Sequence, residues 1–221
     1  MKMGLITIGQ SPRNDVTPTL KAMVGQAVQI TEKGALDGLV KNEVERLAPK
    51  AGDYVLVTRL RDGTSVKVAR RLVTPRIQKC IEELEEVGVD INVLLCTGEF
   101  PRLKAKKPLI MLEAIITSFA RCIKGGKIGV IVPEEEQIPS AIQRWKRKDA
   151  SMVVVSANPY GDVKALEKAA LMLAEKGIDL TVLDCIGFTP NTGEIFRRLT
   201  GKPVLLPQTL LGCVLKCLVG S

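Results

Sequence analysis

The chain has 221 residues, 46% hydrophobic and 25% charged, enough to bury the core of one large α/β domain or two small lobes. It contains no histidine, which excludes Ser-His-Asp and Cys-His catalysis and leaves carboxylate, thiolate, lysine or tyrosine to move protons. The net charge of +8 suits a solvated basic surface or a small anionic ligand, whereas 3% aromatic content without a stacking motif argues against nucleic acid.

The first nine residues carry too short an apolar run for a signal peptide and read as a strand over 3–8. No run reaches the roughly 18 apolar residues that cross a bilayer, so a cytoplasmic protein without membrane association is expected. A polar loop follows, Gly9-Gln10-Ser11-Pro12-Arg13-Asn14-Asp15. Ser11 and Asn14 are candidate donors to a substrate carboxylate, and Arg13 is a candidate bidentate partner for it. Asp15 is placed to orient a thiol. A turn capped by Asn14 or Asp15 is an equally good and compatible reading.

A helix over 15–24, a strand over 27–31 and a helix over 41–48 come next. Residues 53–58 and 65–69 flank Asp62-Gly63, a hairpin signal that predicts an antiparallel ribbon appended to the sheet. A helix over 72–88 leads into a strand over 91–95, then Cys96, Thr97, Gly98 and Glu99. Beyond lie a helix over 109–123, a strand over 127–132, a helix over 134–147 and a strand over 151–156. The loop Ser156-Ala157-Asn158-Pro159-Tyr160-Gly161 offers Ser156 and Asn158 as further donors, or is simply a turn. A helix over 161–176 and a strand over 179–184 precede Cys185, Ile186 and Gly187. The chain closes with a helix over 192–199, a strand over 203–206 and an almost wholly apolar helix over 208–219. That last helix is a core element or a homodimer face, and the sequence leaves both open.

Two tracts repeat. In Gly88-Val89-Asp90-Ile91-Asn92-Val93-Leu94-Leu95-Cys96 and Gly177-Ile178-Asp179-Leu180-Thr181-Val182-Leu183-Asp184-Cys185, each glycine stands eight residues before its cysteine and each aspartate six. A further glycine, Gly98 or Gly187, follows two beyond. The strands are apolar without alternation, as buried parallel strands are. A duplicated, two-lobe architecture follows, with lobes over 1–100 plus 207–221 and over 101–206.

A thiol at the carboxyl end of a parallel strand lies where open α/β sheets build binding crevices. A thiolate is both nucleophile and base, and a glycine loop beside it presents backbone N–H groups to a carboxylate or oxyanion. Two thiols on opposite faces of one carbon would perform racemase or epimerase chemistry with no cofactor. The bland reading is that cysteine is a small buried hydrophobe, and it is the expectation for Cys80, Cys122, Cys213 and Cys217. Six cysteines without a CxxC pair and without histidine give neither a disulfide framework nor a zinc site.

The segments Thr7-Ile8-Gly9-Gln10-Ser11-Pro12-Arg13, Gly34-Ala35-Leu36-Asp37-Gly38-Leu39, Gly129-Val130-Ile131-Val132-Pro133 and Leu183-Asp184-Cys185-Ile186-Gly187-Phe188 resemble the AroM-like family. Through the two cysteine strands the chain also resembles the aspartate/glutamate racemase-like superfamily. The resemblance implies two pseudo-symmetric, doubly wound α/β lobes with an active site between them. It implies Cys96 and Cys185 as opposed acid/base thiols, and Thr97, Gly98, Ile186 and Gly187 around the substrate carboxylate. Glu99 or Asp184 would tune a thiol. Where racemases of this kind carry Cys-Asn-Thr or Cys-Thr-His, this chain has Cys96-Thr97-Gly98-Glu99 and Cys185-Ile186-Gly187-Phe188. The expected function is therefore a cofactor-independent racemase or isomerase of a small carboxylate, with a non-catalytic metabolite-binding or regulatory protein as the alternative.

Overall fold

Residues 1–220 are described by the computed structural model, in two units: Met1–Glu113 with the segment from Leu211, and Ala114–Leu210. The first unit runs β1 (Lys2–Thr7), α1 (Thr17–Val24), β2 (Gln29–Gly34), α2 (Lys41–Glu45), β3 (Val55–Arg59), β4 (Ser65–Ala69), α3 (Arg70–Glu86), β5 (Ile91–Leu94) and β6 (Leu109–Met111). The helix α4 (Leu112–Cys122) then leads into the second unit. That unit holds β7 (Lys127–Val132), α5 (Ile138–Trp145), β8 (Ser151–Ser156), α6 (Val163–Glu175), β9 (Leu180–Leu183), α7 (Pro190–Thr200) and β10 (Val204–Leu205). A final helix, α8 (Pro207–Val219), belongs to the first unit from Leu211 onward.

Each unit carries a parallel four-stranded sheet, ordered β2-β1-β5-β6 in the first and β8-β7-β9-β10 in the second. The two orders are the same, with second, first, third and fourth strand side by side. The inner strands are buried along most of their length because helices cover both faces, which is why their sequences do not alternate. In the first unit Ile6, Leu36, Ile77, Ile81, Leu84 and Leu94 meet in one core. In the second, Leu173, Leu183, Phe188 and Phe196 form its counterpart. Burying a side chain of this size contributes about 1.5–3 kcal/mol.

The sequence repeat has a structural meaning that can be read atom by atom. Gly88 and Gly177 both take positive φ, 78° and 63°, just past the ends of α3 and α6, a conformation that glycine adopts without the Cβ penalty. Asp90 exchanges backbone hydrogen bonding with Lys2: its N–H donates to the Lys2 carbonyl (2.8 Å), and its carboxylate accepts from the Lys2 N–H (2.7 Å). Asp179 does the same with Lys127, at 2.7 and 2.8 Å. Each repeat aspartate thus sets the register of its strand against the neighbouring one. Under each helix a strand glycine admits a leucine: a methyl on Gly4 would lie 2.9 Å from Leu84 Cδ1, and one on Gly129 2.8 Å from Leu173 Cδ1.

Three expectations need correction. Of the four cysteines expected as buried small hydrophobes only Cys80 is buried, and Cys122, Cys213 and Cys217 are exposed. The ribbon β3–β4 is antiparallel as its turn signal predicts, but it forms a separate two-stranded sheet rather than an extension of the parallel one. It is tied to the loop after β1, where Gln10 N–H donates to the Arg59 carbonyl at 3.2 Å. Residues 109–111, read as the start of a helix, instead pair with β5 as a short parallel strand, and the helix begins at Leu112. Three residues flush against a helix carry no periodicity of their own, so only the ladder to β5 reveals them.

Candidate functional site

Cys96 and Cys185 follow directly on β5–Leu95 and β9–Asp184, at the carboxyl ends of the third strand of each sheet. Leu95 N–H donates to the Ile6 carbonyl and Asp184 N–H to the Ile131 carbonyl, both at 2.8 Å, so the two chains leave their sheets at equivalent points. Beyond the strand each chain curls back on its sulfur. Gly98 N–H donates to Cys96 Sγ at 3.3 Å, and Gly187 N–H to Cys185 Sγ at 3.4 Å. An N–H aimed at sulfur favours the thiolate over the thiol. The cysteines are 8% and 7% exposed, and neither is in a disulfide.

Around Cys96, Thr97 is buried and Glu99 has its side chain at the surface. The backbone of Glu99 is held on both sides: its N–H donates to Tyr54 Oη (3.3 Å), and its carbonyl accepts from Arg70 Nη1 (3.0 Å). The Arg70 guanidinium lies 4.1 Å from the centre of the Tyr54 ring. Neither tyrosine nor arginine was singled out by local sequence signals, because each comes from a distant element.

The loop after β1 is held by carboxylates of the protein itself. Ser11 donates both its N–H (2.8 Å) and its hydroxyl (2.6 Å) to Asp37, which also accepts the Gly34 N–H at 2.8 Å. Arg13, only 2% exposed, grips Asp15 through Nε (2.8 Å) and Nη2 (2.7 Å) and donates through Nη1 to Thr7 Oγ1 (2.9 Å). Burial pushes the Asp15 carboxyl up, but the Arg13 hydrogen bond and charge outweigh it, and the group sits below its ordinary range. Asn14 remains exposed. It borders a cavity of about 170 Å³ beside the ribbon turn, whose charged lining is Arg13, Arg59 and Arg61 with Asp15 and Asp62.

In the second unit Asp184 is fully enclosed and accepts the indole N–H of Trp145 at 2.8 Å and the guanidinium of Arg144. Ser156 is half-buried at the end of β8. Asn158 accepts the Tyr160 N–H (2.9 Å) and donates to Glu134 Oε1 (2.8 Å), which shapes the loop carrying Tyr160. The phenol of Tyr160 lies against Gly187: a methyl there would stand 2.3 Å from Oη. The buried Gln208 donates from Nε2 to the Ile186 carbonyl at 2.9 Å. Among the described residues no cluster of side chains fits a metal ion, and no helix is long and apolar enough to cross a membrane.

Two α/β units of the same strand order are the two-lobe fold of aspartate/glutamate racemase-like structures. Solved structures agree in fold. An allantoin racemase from Klebsiella pneumoniae matches 99% of this chain and 87% of its own, at 17% identity and a TM-score of 0.63. A maleate isomerase from Pseudomonas putida matches 99% and 92%, at 14% identity and a TM-score of 0.62. An aspartate racemase from Picrophilus torridus matches 99% and 94%, again at 14% and 0.62. The chain belongs to the AroM protein family, which matches residues 3–219. A search of the curated proteins finds no match.

Proposed function

We propose that this protein is a cofactor-independent racemase or isomerase of a small carboxylate, with Cys96 and Cys185 as its paired acid and base. The observation that carries this reading is the matched thiol geometry, in which each sulfur receives the amide of the glycine two residues on. One thiolate removes the proton α to a carboxylate, and the other thiol returns a proton to the opposite face. The backbone N–H groups of Thr97 and Ile186, each next to a glycine amide that faces sulfur, steady the charge that develops on the carboxylate oxygens. Asn14, with Arg59 and Arg61 of the adjacent cavity, supplies polar and cationic contacts for the anionic substrate. Ser11, Arg13 and Asp15 hold that loop in shape, Asn158 does so for the corresponding loop of the second unit, where Ser156 is a donor to substrate, and Asp184 anchors the strand end that bears Cys185. The relatives of like fold named above support the reaction class, as racemases and an isomerase.

Incubation in heavy water with a panel of small carboxylates, followed by proton NMR, tests this reading. Loss of an α-proton signal with the wild-type protein, abolished in Cys96→Ser and in Cys185→Ser, is the expected result. Stoichiometric binding without exchange would overturn it in favour of a metabolite-binding protein.

A further inference from the structure

The chain contains two tyrosines, Tyr54 and Tyr160. One stands in each unit, and each packs on the glycine two residues beyond a cysteine. A methyl on Gly98 would lie 3.7 Å from Tyr54 Cε1 and 3.4 Å from Cys96 Sγ. A methyl on Gly187 would meet Tyr160 at Oη (2.3 Å), Cζ (2.5 Å) and Cε1 (2.8 Å). These are the two glycines whose amides donate to sulfur. We propose that Tyr54 and Tyr160 are positioning residues that brace the two thiol loops and thereby hold each glycine amide on its cysteine sulfur. The proposal rests on the reading of Cys96 and Cys185 as the reactive thiols.

The braces differ in construction and agree in effect. Tyr54 accepts the Glu99 N–H through Oη (3.3 Å) while Arg70 covers its ring and holds the Glu99 carbonyl (3.0 Å), so the residue following Gly98 is pinned through both of its backbone groups. Arg70 is tied to Tyr54 in turn, since its backbone N–H donates to the Tyr54 carbonyl at 3.0 Å. Tyr160 is set from behind by Asn158, which Glu134 orients, and its ring closes over Gly187. Gln208 holds the carbonyl of the Ile186–Gly187 peptide, and the N–H of that same peptide faces Cys185. A hydrogen bond to a peptide carbonyl polarises the group and strengthens its N–H as a donor. Both loops are therefore fixed by side chains remote in sequence. At Gly187 any Cβ would drive Tyr160 away, whereas at Gly98 it would clash with Leu56 Cδ2 at 2.6 Å and only touch Tyr54.

The test needs no substrate. The rate of alkylation of each cysteine by iodoacetamide is followed against pH by mass spectrometry of its own peptide, in wild type, Tyr54→Phe and Tyr160→Phe. Tyr54→Phe is expected to move the Cys96 midpoint upward, with a rate at least about threefold lower below the midpoint, and to leave Cys185 unchanged. Tyr160→Phe gives the converse. A second probe from the other side, Gly187→Ala, should reproduce the Tyr160→Phe shift at Cys185. The proposal is overturned if the midpoints do not move, if both thiols shift alike in one variant, or if neither thiol is alkylated below pH 10 in wild type. A crossed shift without any hydrogen exchange into carboxylates would uphold the braces and reject the proposed reaction, so the two failures are distinguishable.

Discussion

Trp145 donates its indole N–H to Asp184 at 2.8 Å, one residue before Cys185, in the place where the first unit carries Leu95 before Cys96. The repeat changes chemical character at this buried position, where an aliphatic side chain is exchanged for a carboxylate matched by Arg144 and Trp145. A buried charge left without its partner is costly, whereas replacing both members by apolar groups restores a dry core.

The first prediction follows from that asymmetry. Asp184→Leu alone should destabilise the protein by about 3–5 kcal/mol, because the buried Arg144 guanidinium loses this carboxylate and the Trp145 N–H its acceptor. Arg144→Met combined with Asp184→Leu should recover most of the loss. Urea unfolding of the two singles and the double decides it, and an additive double would show the pair is not coupled.

The loop after β1 is held to the ribbon by a contact no side chain can share. A methyl on Gly9 would stand 2.2 Å from the Arg59 carbonyl and 2.4 Å from Thr58 Oγ1. Backbone cannot give way as a flexible side chain can. Gly9→Ala should therefore cost more than the ~1–3 kcal/mol typical of overpacking, and more than Gly129→Ala, whose methyl meets only side-chain methyls of Leu173 and Ile178. Comparison of the two thermal midpoints checks the order.

Burial, followed by the nearby carboxylates of Glu83 and Asp37, pushes the Cys80 thiol up to about 11. A raised folded-state value means that the unfolded chain loses this proton first, near the free-thiol range of about 8.5. Stability should then fall as pH climbs from there toward 11, and Cys80→Ala should flatten that slope. Alkylation at pH 8 should label the exposed Cys122, Cys213 and Cys217 and spare Cys80.

Asp15 titrates in the opposite sense. Its folded value is depressed by Arg13, so its contribution is complete above the unfolded value of about 3.9 and is lost as pH falls below it. Asp15→Asn should remove that portion of the acid limb and lower stability at neutral pH by about 3 kcal/mol, since Arg13 is then buried beside a neutral amide. Denaturant midpoints measured between pH 2 and pH 7 test both parts.

Equal costs are expected from the two repeat aspartates. Asp90→Ala and Asp179→Ala each remove one carboxylate bond to the N–H that opens a central strand, worth about 1 kcal/mol. Matching losses in urea would establish that the duplicated positions are energetically as well as geometrically equivalent.

Much of the architecture is legible along the chain because it is local. Gly88 and Gly177 end helices through a backbone angle, Asp90 and Asp179 start strands, and the apolar runs before Cys96 and Cys185 admit only buried parallel strands. The same locality hid β6, three residues long, and it presented the ribbon as part of the main sheet. Polar loop residues were legible as polar, but not by whom they are occupied: Ser11 and Arg13 look outward in sequence and are held by Asp37 and Asp15 in the fold.

The sequence by itself determined the α/β alternation, the duplication and the placing of a cysteine and a glycine at each strand end, since all of these rest on short-range periodicity and backbone conformational preference. Only the tertiary structure decided what surrounds those cysteines. Tyr54 reaches Glu99 across 45 residues, Trp145 reaches Asp184 across 39, and Gln208 reaches Ile186 across 22. Bonds of that span depend on how helices and ribbon pack on the sheets, and packing depends on the whole chain at once.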